Sequence, residues 1–235
     1  MRFPRPLVPG VLVRRYARFL ADVRLDDGSV VTAHCPNTGS LLGCRDPGLP
    51  VWLLESANLE RRLRFTWTLV RVGRSLVNVD TGVPNRVVHE AVASGAVAEL
   101  AGYRSIRREV PYGRSSRIDL LLEDHPRDHR PCWVEVKCTT LARGSLGLFP
   151  DSVTERGRKH LRDLQREVRR GARAVQLFFL SRRAVRRFRP ADEIDPAYGR
   201  ELRRAARRGV EVLAYRANVS LRGVALGESV PVDLS

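Results

Sequence analysis

Lysine is almost missing from this chain. Of its 42 basic residues, 40 are arginine, and only Lys137 and Lys159 are lysine. We attribute the bias to a GC-rich genome, and it leaves two positions where a compact ammonium stands against the default. Lysine differs from arginine in being a small point charge with a movable pKa, so chemistry that needs such a group is sought there first. Cysteine is scarce as well. Cys35, Cys44, Cys132 and Cys138 contain no Cys-x-x-Cys pair and are too few for a disulfide scaffold, so reduced thiols are expected. Zinc ligation by Cys35 and Cys44 with His34, or by His125 and His129, fits no usual spacing.

No apolar run approaches the ~20 residues of a membrane-spanning helix, Met1 to Val23 has no signal-peptide core, and no lipidation motif is present. The protein is therefore expected to stay in the cytoplasm with no membrane partner. A Walker loop, a dinucleotide fingerprint and a Gly-x-Ser-x-Gly elbow are all absent, which disfavours nucleotide-driven and serine-hydrolase chemistry. Internal repeats and low-complexity tracts are absent too. Nothing in the pattern fixes an oligomeric state.

Positive charge is what the chain has in excess. A formal net charge of +16 and a pI near 11.1 accompany 43% hydrophobic residues over 235 positions, enough for two small cored domains. An excess of this size favours polyanions and supplies sequence-independent nucleic-acid affinity through counterion release. DNA is the expected partner.

Residues 11 to 80 alternate like consecutive strands, at Arg18 to Arg24, Val30 to Cys35, Pro50 to Leu54, Arg64 to Val72 and Ser75 to Val79, with a hairpin turn at Asp26-Asp27-Gly28. Five short strands in such a span predict a small Greek-key barrel of the OB type. The pattern then changes. Pro84-Asn85 opens a helix running through Leu100; strands follow at Ser105 to Val110, Ser116 to Leu122 and Trp133 to Thr139. A helix over Val153 to Arg170, with a capping box of Ser152 and Glu155 and an apolar stripe of Val153, Leu161, Leu164 and Val168, comes next. A strand at Ala174 to Leu180, a helix near Tyr198 to Arg208 and a strand at Val210 to Tyr215 complete an α/β unit. The fold class expected is thus α/β with an all-β N-terminal part: an OB-like barrel over 1–82 and an α/β domain over 83–235.

Within that second unit, charged residues interrupt runs that otherwise predict buried strands. Asp119 sits in Ile118-Asp119-Leu120-Leu121-Leu122, and Glu135 and Lys137 share one face of Cys132 to Cys138. Unpaired, such charges cost several kcal/mol; they are expected to be paired or used. The 16 positions between Asp119 and Glu135 allow a hairpin through Glu123 to Arg130 that sets the two carboxylates side by side. Two carboxylates and an ammonium at neighbouring strands can hold a divalent cation and a phosphate, and the alternative is an interstrand salt bridge.

The order helix, three strands, helix, strand, with Asp119 in the second strand and Glu135-Val136-Lys137 in the third, resembles the restriction-endonuclease-like PD-(D/E)xK nucleases, although Ile118 stands where proline is usual. The resemblance implies Mg²⁺ or Mn²⁺ bound by Asp119, Glu135 and the Val136 carbonyl, with Lys137 positioning or activating water. Glu90 on the first helix matches the acidic residue that many such enzymes project toward the metal, or is an ordinary solvated carboxylate. Arg156, Lys159, His160 and Asp163 recur at helical spacing and are expected to form a polar stripe that grips phosphate. Arg61, Arg62 and Arg64 interleave with Trp67 in a pattern suited to binding a strand by charge and stacking, unless Trp67 is core; Arg117 adds a cation beside Asp119. His34, Asn37 and Thr38 lie in a turn-rich loop that either is only tight or offers a nucleotide or sugar a binding edge at the barrel mouth.

Taken together, Arg15-Tyr16 with Arg18 to Val23, His34 to Gly39, Thr66-Trp67, Ser116 to Asp119, Glu135 to Lys137, Phe149-Pro150-Asp151, Arg156-Gly157 and Lys159-His160-Leu161 closely resemble the bacterial sugar fermentation stimulation protein A family. The match runs from about Tyr16 to the C-terminus. It implies an OB-like domain followed by a nuclease-like domain, DNA binding, and a regulatory link to sugar metabolism, maltose in particular. Departures are small: Arg61-Arg62 stands where a lysine-arginine-lysine run is common, and Cys138 where serine is common. Two functions follow as expectations, a metal-dependent DNA nuclease or a non-enzymatic DNA-binding regulator on a nuclease scaffold.

Overall fold

The structure is a computed structural model that describes residues 1–112 and 116–235. Six strands open it: β1 (Val8–Tyr16), β2 (Leu20–Leu25), β3 (Val30–His34), β4 (Pro50–Glu55), β5 (Phe65–Val72) and β6 (Ser75–Asn78). They hydrogen-bond in the order β3-β2-β1-β4-β5-β6. Parallel pairing of β3 with β5, at Ala33↔Phe65 and His34↔Thr66, closes the first five into an OB-like barrel. Closure removes the exposed sheet edges, and Leu12, Val23, Leu53, Trp67 and Val70 fill the interior.

Two expectations change here. Strand β1 was not foreseen, because Pro9, Gly10 and paired arginines break its alternation; a side chain at Gly10 would come within 2.6 Å of Val23 and 2.8 Å of the Arg24 carbonyl, so only glycine lets β1 and β2 approach. The strand expected from Arg18 starts at Leu20, since Ala17 and Arg18, with φ of 45° and 64°, form the turn. Trp67 is fully buried and donates from its indole to the Leu69 carbonyl at 3.0 Å. It is core, not a stacking platform.

The second half continues with α1 (Gly82–Ala93), a short 3₁₀ turn (Ala98–Leu100), β7 (Ser105–Tyr112), β8 (Ser116–Glu123), β9 (Cys132–Thr139), β10 (Ala142–Arg143) and β11 (Leu146–Phe149). Then come α2 (Glu155–Arg169), β12 (Arg173–Leu180), β13 (Arg187–Pro190), α3 (Pro196–Arg207), β14 (Glu211–Ser220) and β15 (Gly223–Ser229). The main sheet has the order β15-β14-β12-β9-β8-β7, with β9, β12 and β14 parallel at its centre. On one face α1 packs Val83, Val87 and Val88 against Leu120, Leu122, Val134 and Leu177. On the other, α2 and α3 bury Leu161, Leu164, Tyr198 and Leu202 against Leu121, Phe178 and Phe188.

Helix α1 stops at Ala93 rather than Leu100, because Gly95 at φ 74° supplies a left-handed terminator. Thr154, not Ser152, caps α2: its hydroxyl accepts the Gly157 N–H at 3.0 Å. Val153 consequently lies outside the apolar stripe and is 67% exposed. Strands β10, β11, β13 and β15 were not expected, being short or broken by arginine and glycine. Among the described residues, no helix is long and apolar enough to cross a membrane.

Candidate active site

Strand pairing builds the site. Antiparallel β8 and β9 pair at Leu122↔Cys132, Leu121↔Trp133 and Leu120↔Val134, and there the ladder stops. One further step of that register sets Asp119 opposite Glu135. Instead of closing, the strands part, and the Asp119 carboxylate fills the gap: Oδ2 accepts the Val136 N–H at 2.6 Å, and Oδ1 accepts from the Asn85 amide of α1 at 2.6 Å. Within a strand, a residue's N–H and C=O leave on the same side, so the Val136 carbonyl faces this gap too. Across the strand from Asp119, Glu109 of β7 takes φ 52°, an uncommon conformation for a residue with a side chain.

Glu135 is 3% exposed. Its Oε1 accepts from Lys137 Nζ at 2.6 Å and from His160 Nδ1 of α2. Arg156 Nε lies 3.4 Å from the other ring nitrogen of His160, and Lys137 Nζ lies 3.2 Å from Nδ1. Gln176 of β12 donates to the Glu135 carbonyl at 3.0 Å and fixes the backbone. Oε2 of Glu135 is buried with no hydrogen-bond partner among the described residues. Burial alone would raise the Glu135 carboxyl, but Lys137 and His160 outweigh it and hold the group below its ordinary value. Asp119 moves the other way: burial and the neighbouring Glu135 charge push it up to about 7.

These features fit a cation. An orphaned carboxylate oxygen, a second carboxylate that resists ionising beside it, and a backbone carbonyl aimed at the same gap form an oxygen donor set of the kind hard divalent ions accept, with water completing the shell. Among the described residues, no group of three or more His, Cys, Asp or Glu side chains converges for a metal. A cation here would therefore find two carboxylates and a carbonyl from the protein.

Two cavities meet at the carboxylates. The one on the barrel-loop side, termed inner for that position, is about 570 Å³ and is lined by Asp119, Glu135 and Lys137 together with Asn37 and Thr38 of the barrel loop and residues 148–157. The outer one, about 550 Å³, shares Asn85, Asp119, Glu135, Arg156 and His160 and adds Ser116, Arg117 and Lys159. Asp151, within the inner lining, fastens the barrel to the second half: its Oδ2 accepts the Leu41 N–H at 2.8 Å and its carbonyl accepts from Ser40 Oγ.

The other expected site residues divide. Lys159 donates to Ser116 at 2.8 Å and, with the exposed Arg156 and Arg117, gives the outer cavity its cations. His160 borders that cavity only from its buried side. It turns inward and is 4% exposed; Asp163 is buried too and accepts from Ser116 Oγ at 2.9 Å; the expected stripe is split down its length, and His160 holds Glu135 instead of gripping phosphate. Glu90 is also corrected: it lies 2.7 Å from the Met1 ammonium, and Asn85, one and a half turns earlier, faces Asp119 in its place. Arg61, Arg62 and Arg64 are exposed on the barrel and line neither cavity, with Arg61 donating to Thr66 at 3.1 Å and Arg64 paired with Glu55. His34 stays in β3, outside both linings. Sequence reasoning missed Asn85, Asp151 and Gln176. Asp151 alone carried a signal, through the Phe149-Pro150-Asp151 segment.

Comparison with known proteins agrees with this architecture. The family profile described as the SfsA N-terminal OB domain matches residues 13–79, and that of the sugar fermentation stimulation protein RE domain matches residues 82–223. The sugar fermentation stimulation protein homolog of Geobacter sulfurreducens is 56% identical over 232 residues, covering 99% of this chain and 98% of its own. That of Geobacter metallireducens is 55% identical over 235 residues, all of both chains. Among solved structures, Pyrococcus furiosus SfsA in complex with Ca²⁺ superposes with a TM-score of 0.90 at 27% identity, over 99% of each chain.

Proposed function

The chain belongs to the sugar fermentation stimulation protein family, and from that premise we propose that it binds DNA and carries a divalent-metal-dependent phosphodiesterase site at Asp119, Glu135 and Lys137. The observation that carries this is Glu135 Oε2, buried and without a partner among the described residues, beside Asp119 in a cavity that also holds the Lys137 ammonium. In this reading residues 1–82 form the OB-like domain, residues 83–235 the nuclease-like one, and the work is done in the cytoplasm on DNA.

Asp119, Glu135 Oε2 and the Val136 carbonyl would hold Mg²⁺ or Mn²⁺. When bound, such an ion supplies Lewis-acid stabilisation of charge on a phosphate and lowers the pKa of water. The Ca²⁺ complex of the Pyrococcus furiosus relative supports a hard cation in this family. The protein's own groups have distinct tasks. Asn85 and the Val136 N–H orient Asp119. His160 and Lys137 occupy Glu135 Oε1, which directs Oε2 toward the cation. Lys137, 14% exposed at its side chain, presents an ammonium where an attacking water and the scissile phosphate would meet. Arg117, Arg156 and Lys159 neutralise flanking phosphates, and the net charge of +16 supplies general affinity; Arg61, Arg62 and Arg64 extend it over the barrel.

The test is incubation of labelled single- and double-stranded DNA with wild type and Asp119→Ala, each with Mg²⁺ or Mn²⁺. Cleavage by wild type alone supports the proposal. A wild type inert with every metal and DNA form, yet binding DNA with a steep salt dependence, would make the protein a non-enzymatic regulator. Affinity unchanged between roughly 50 and 200 mM salt, where multi-phosphate binders lose orders of magnitude, would remove DNA as the partner.

A further inference from the structure

The barrel takes part in the catalytic cavity as a fixed wall. Loop 36–41 is tied down along its whole length: Thr81 Oγ1 donates to the Pro36 carbonyl at 3.1 Å, Asn37 Oδ1 accepts the Gly39 N–H at 2.9 Å, and the Leu41 N–H reaches Asp151. Beneath it, the Arg15 guanidinium donates to the carbonyls of Asn37 and Gly39 at 2.8 Å each and of Arg18 at 2.6 Å. Gly39 is needed for this closure, since a Cβ there would lie 2.8 Å from Asp151 Oδ1. Such a loop cannot swing aside without leaving several polar groups unpaired.

The two cavities on either side of the carboxylates differ in chemistry. Setting aside the residues the two share, the outer one carries Arg117 and Lys159 against Glu109. Among the described residues of the inner lining, those not shared with the outer cavity include the cations Arg18 and Lys137 and the carboxylates Asp151 and Glu155. Neutral groups make up much of its lining, among them Thr38, Pro84, Phe149 and Val153. Val153 is an aliphatic side chain 67% exposed at the chamber's edge, outside every packing cluster. One side thus suits phosphates, and the other suits a sugar and a base.

Resting on the phosphodiesterase reading above, we propose that the substrate is a single DNA strand or a frayed strand end, seated with its terminal nucleoside in the inner chamber and its remaining phosphates along the outer, cationic side. A phosphate must descend to Glu135 to meet the site, and that residue is 3% exposed. A phosphate within continuous duplex has neighbours on both sides and a partner strand beside it, which would run into the pinned loop. A lone strand has no such partner and can turn at the carboxylates. The chamber's volume of about 570 Å³ is within the range of ordinary small-ligand pockets, roughly 300–1,000 Å³, and suits one nucleoside with its solvent.

The experiment measures equilibrium binding, by fluorescence anisotropy in EDTA, of one oligonucleotide presented as a single strand, as a blunt duplex, and as a duplex with a 3′ or a 5′ overhang. The single strand and at least one overhang form should bind about tenfold more tightly than the blunt duplex, the scale of one stacked base. A 5-iodouracil at the strand terminus should photocrosslink to residues 36–38 or 148–154, and the same base placed mid-strand should not. Equal affinity for single strand and blunt duplex, or terminal crosslinks only outside the chamber, overturns the proposal. Because EDTA removes any cleavage, this result is independent of the nuclease reading: Mn²⁺-dependent cutting of duplex with no single-strand preference would sink the one and keep the other.

Discussion

The Val136 N–H donates to Asp119 Oδ2 at 2.6 Å, so the carboxylate of β8 is locked to the backbone of the strand that carries Glu135. Asp119→Ala removes that acceptor and also the partner of the Asn85 amide. Leaving buried donors unpaired costs about 1–3 kcal/mol, so urea unfolding should show a loss of up to that order for Asp119→Ala, offset in part above pH 7 because burial and Glu135 oppose the ionised carboxylate, and no loss for Asp119→Asn, which keeps an acceptor oxygen and carries no charge. Both variants should lose Mn²⁺ binding in a titration followed by electron paramagnetic resonance. Mn²⁺ affinity surviving in both would place the cation elsewhere.

His160 touches Glu135 and not the solvent, and its task is to hold one carboxylate oxygen so that the other is available. Partners of this sort typically change metal affinity roughly 10–100-fold when removed. His160→Gln should therefore weaken Mn²⁺ binding by that order while the fold, read by circular dichroism, is retained. Weakened DNA binding with unchanged metal affinity would return His160 to the phosphate-gripping role.

Lys137→Arg keeps the charge, and 40 arginines show how readily this chain accommodates the residue. The variant should fold and bind DNA nearly as wild type does. It should nonetheless lose metal-dependent cleavage, because a planar guanidinium replaces the compact ammonium 2.6 Å from Glu135. Gel assays of cleavage in Mg²⁺ and Mn²⁺ decide it, and undiminished cutting would refute the special role of this lysine.

Asp80 accepts the Gly82 N–H at the start of α1 at 2.8 Å, and burial raises its carboxyl above the ordinary value despite that bond and the nearby Arg86 and His34. A carboxyl raised by folding holds its proton more tightly in the native state, so its ionisation destabilises the fold as pH climbs above the unfolded value of about 4. Asp80→Asn should accordingly raise the melting temperature at pH 8, and the gain should shrink toward zero as pH falls to about 4. A variant less stable than wild type at pH 8 would show that the charge itself is needed there.

Much of the site was legible because its residues violate the pattern around them. Asp119, Glu135 and Lys137 interrupt apolar runs, and hairpin pairing of β8 with β9 follows from the short polar loop between them. Glu90 was misjudged because sequence does not reveal a helix's rotation: Asn85 and Glu90 are five residues apart, roughly 140° around the axis, so only one can face Asp119. His160 and Lys159 are adjacent, and the boundary between buried and exposed falls between them; only the position of β9 decides which is inside. Strand β1 was hidden by Pro9 and Gly10, whose acceptability comes from a close approach to β2 that no local pattern encodes. The wall formed by loop 36–41 depends on Asp151, 110 residues away from Leu41, and such a contact leaves no local trace.

The most direct measurement is the position of Mn²⁺ in a crystal of the full chain, located by anomalous diffraction. The account requires one ion between Asp119 and Glu135 Oε2, with the Val136 carbonyl and waters completing its shell and Lys137 still on Oε1. An ordered site with no anomalous density there, or density confined to His125 and His129, would contradict it.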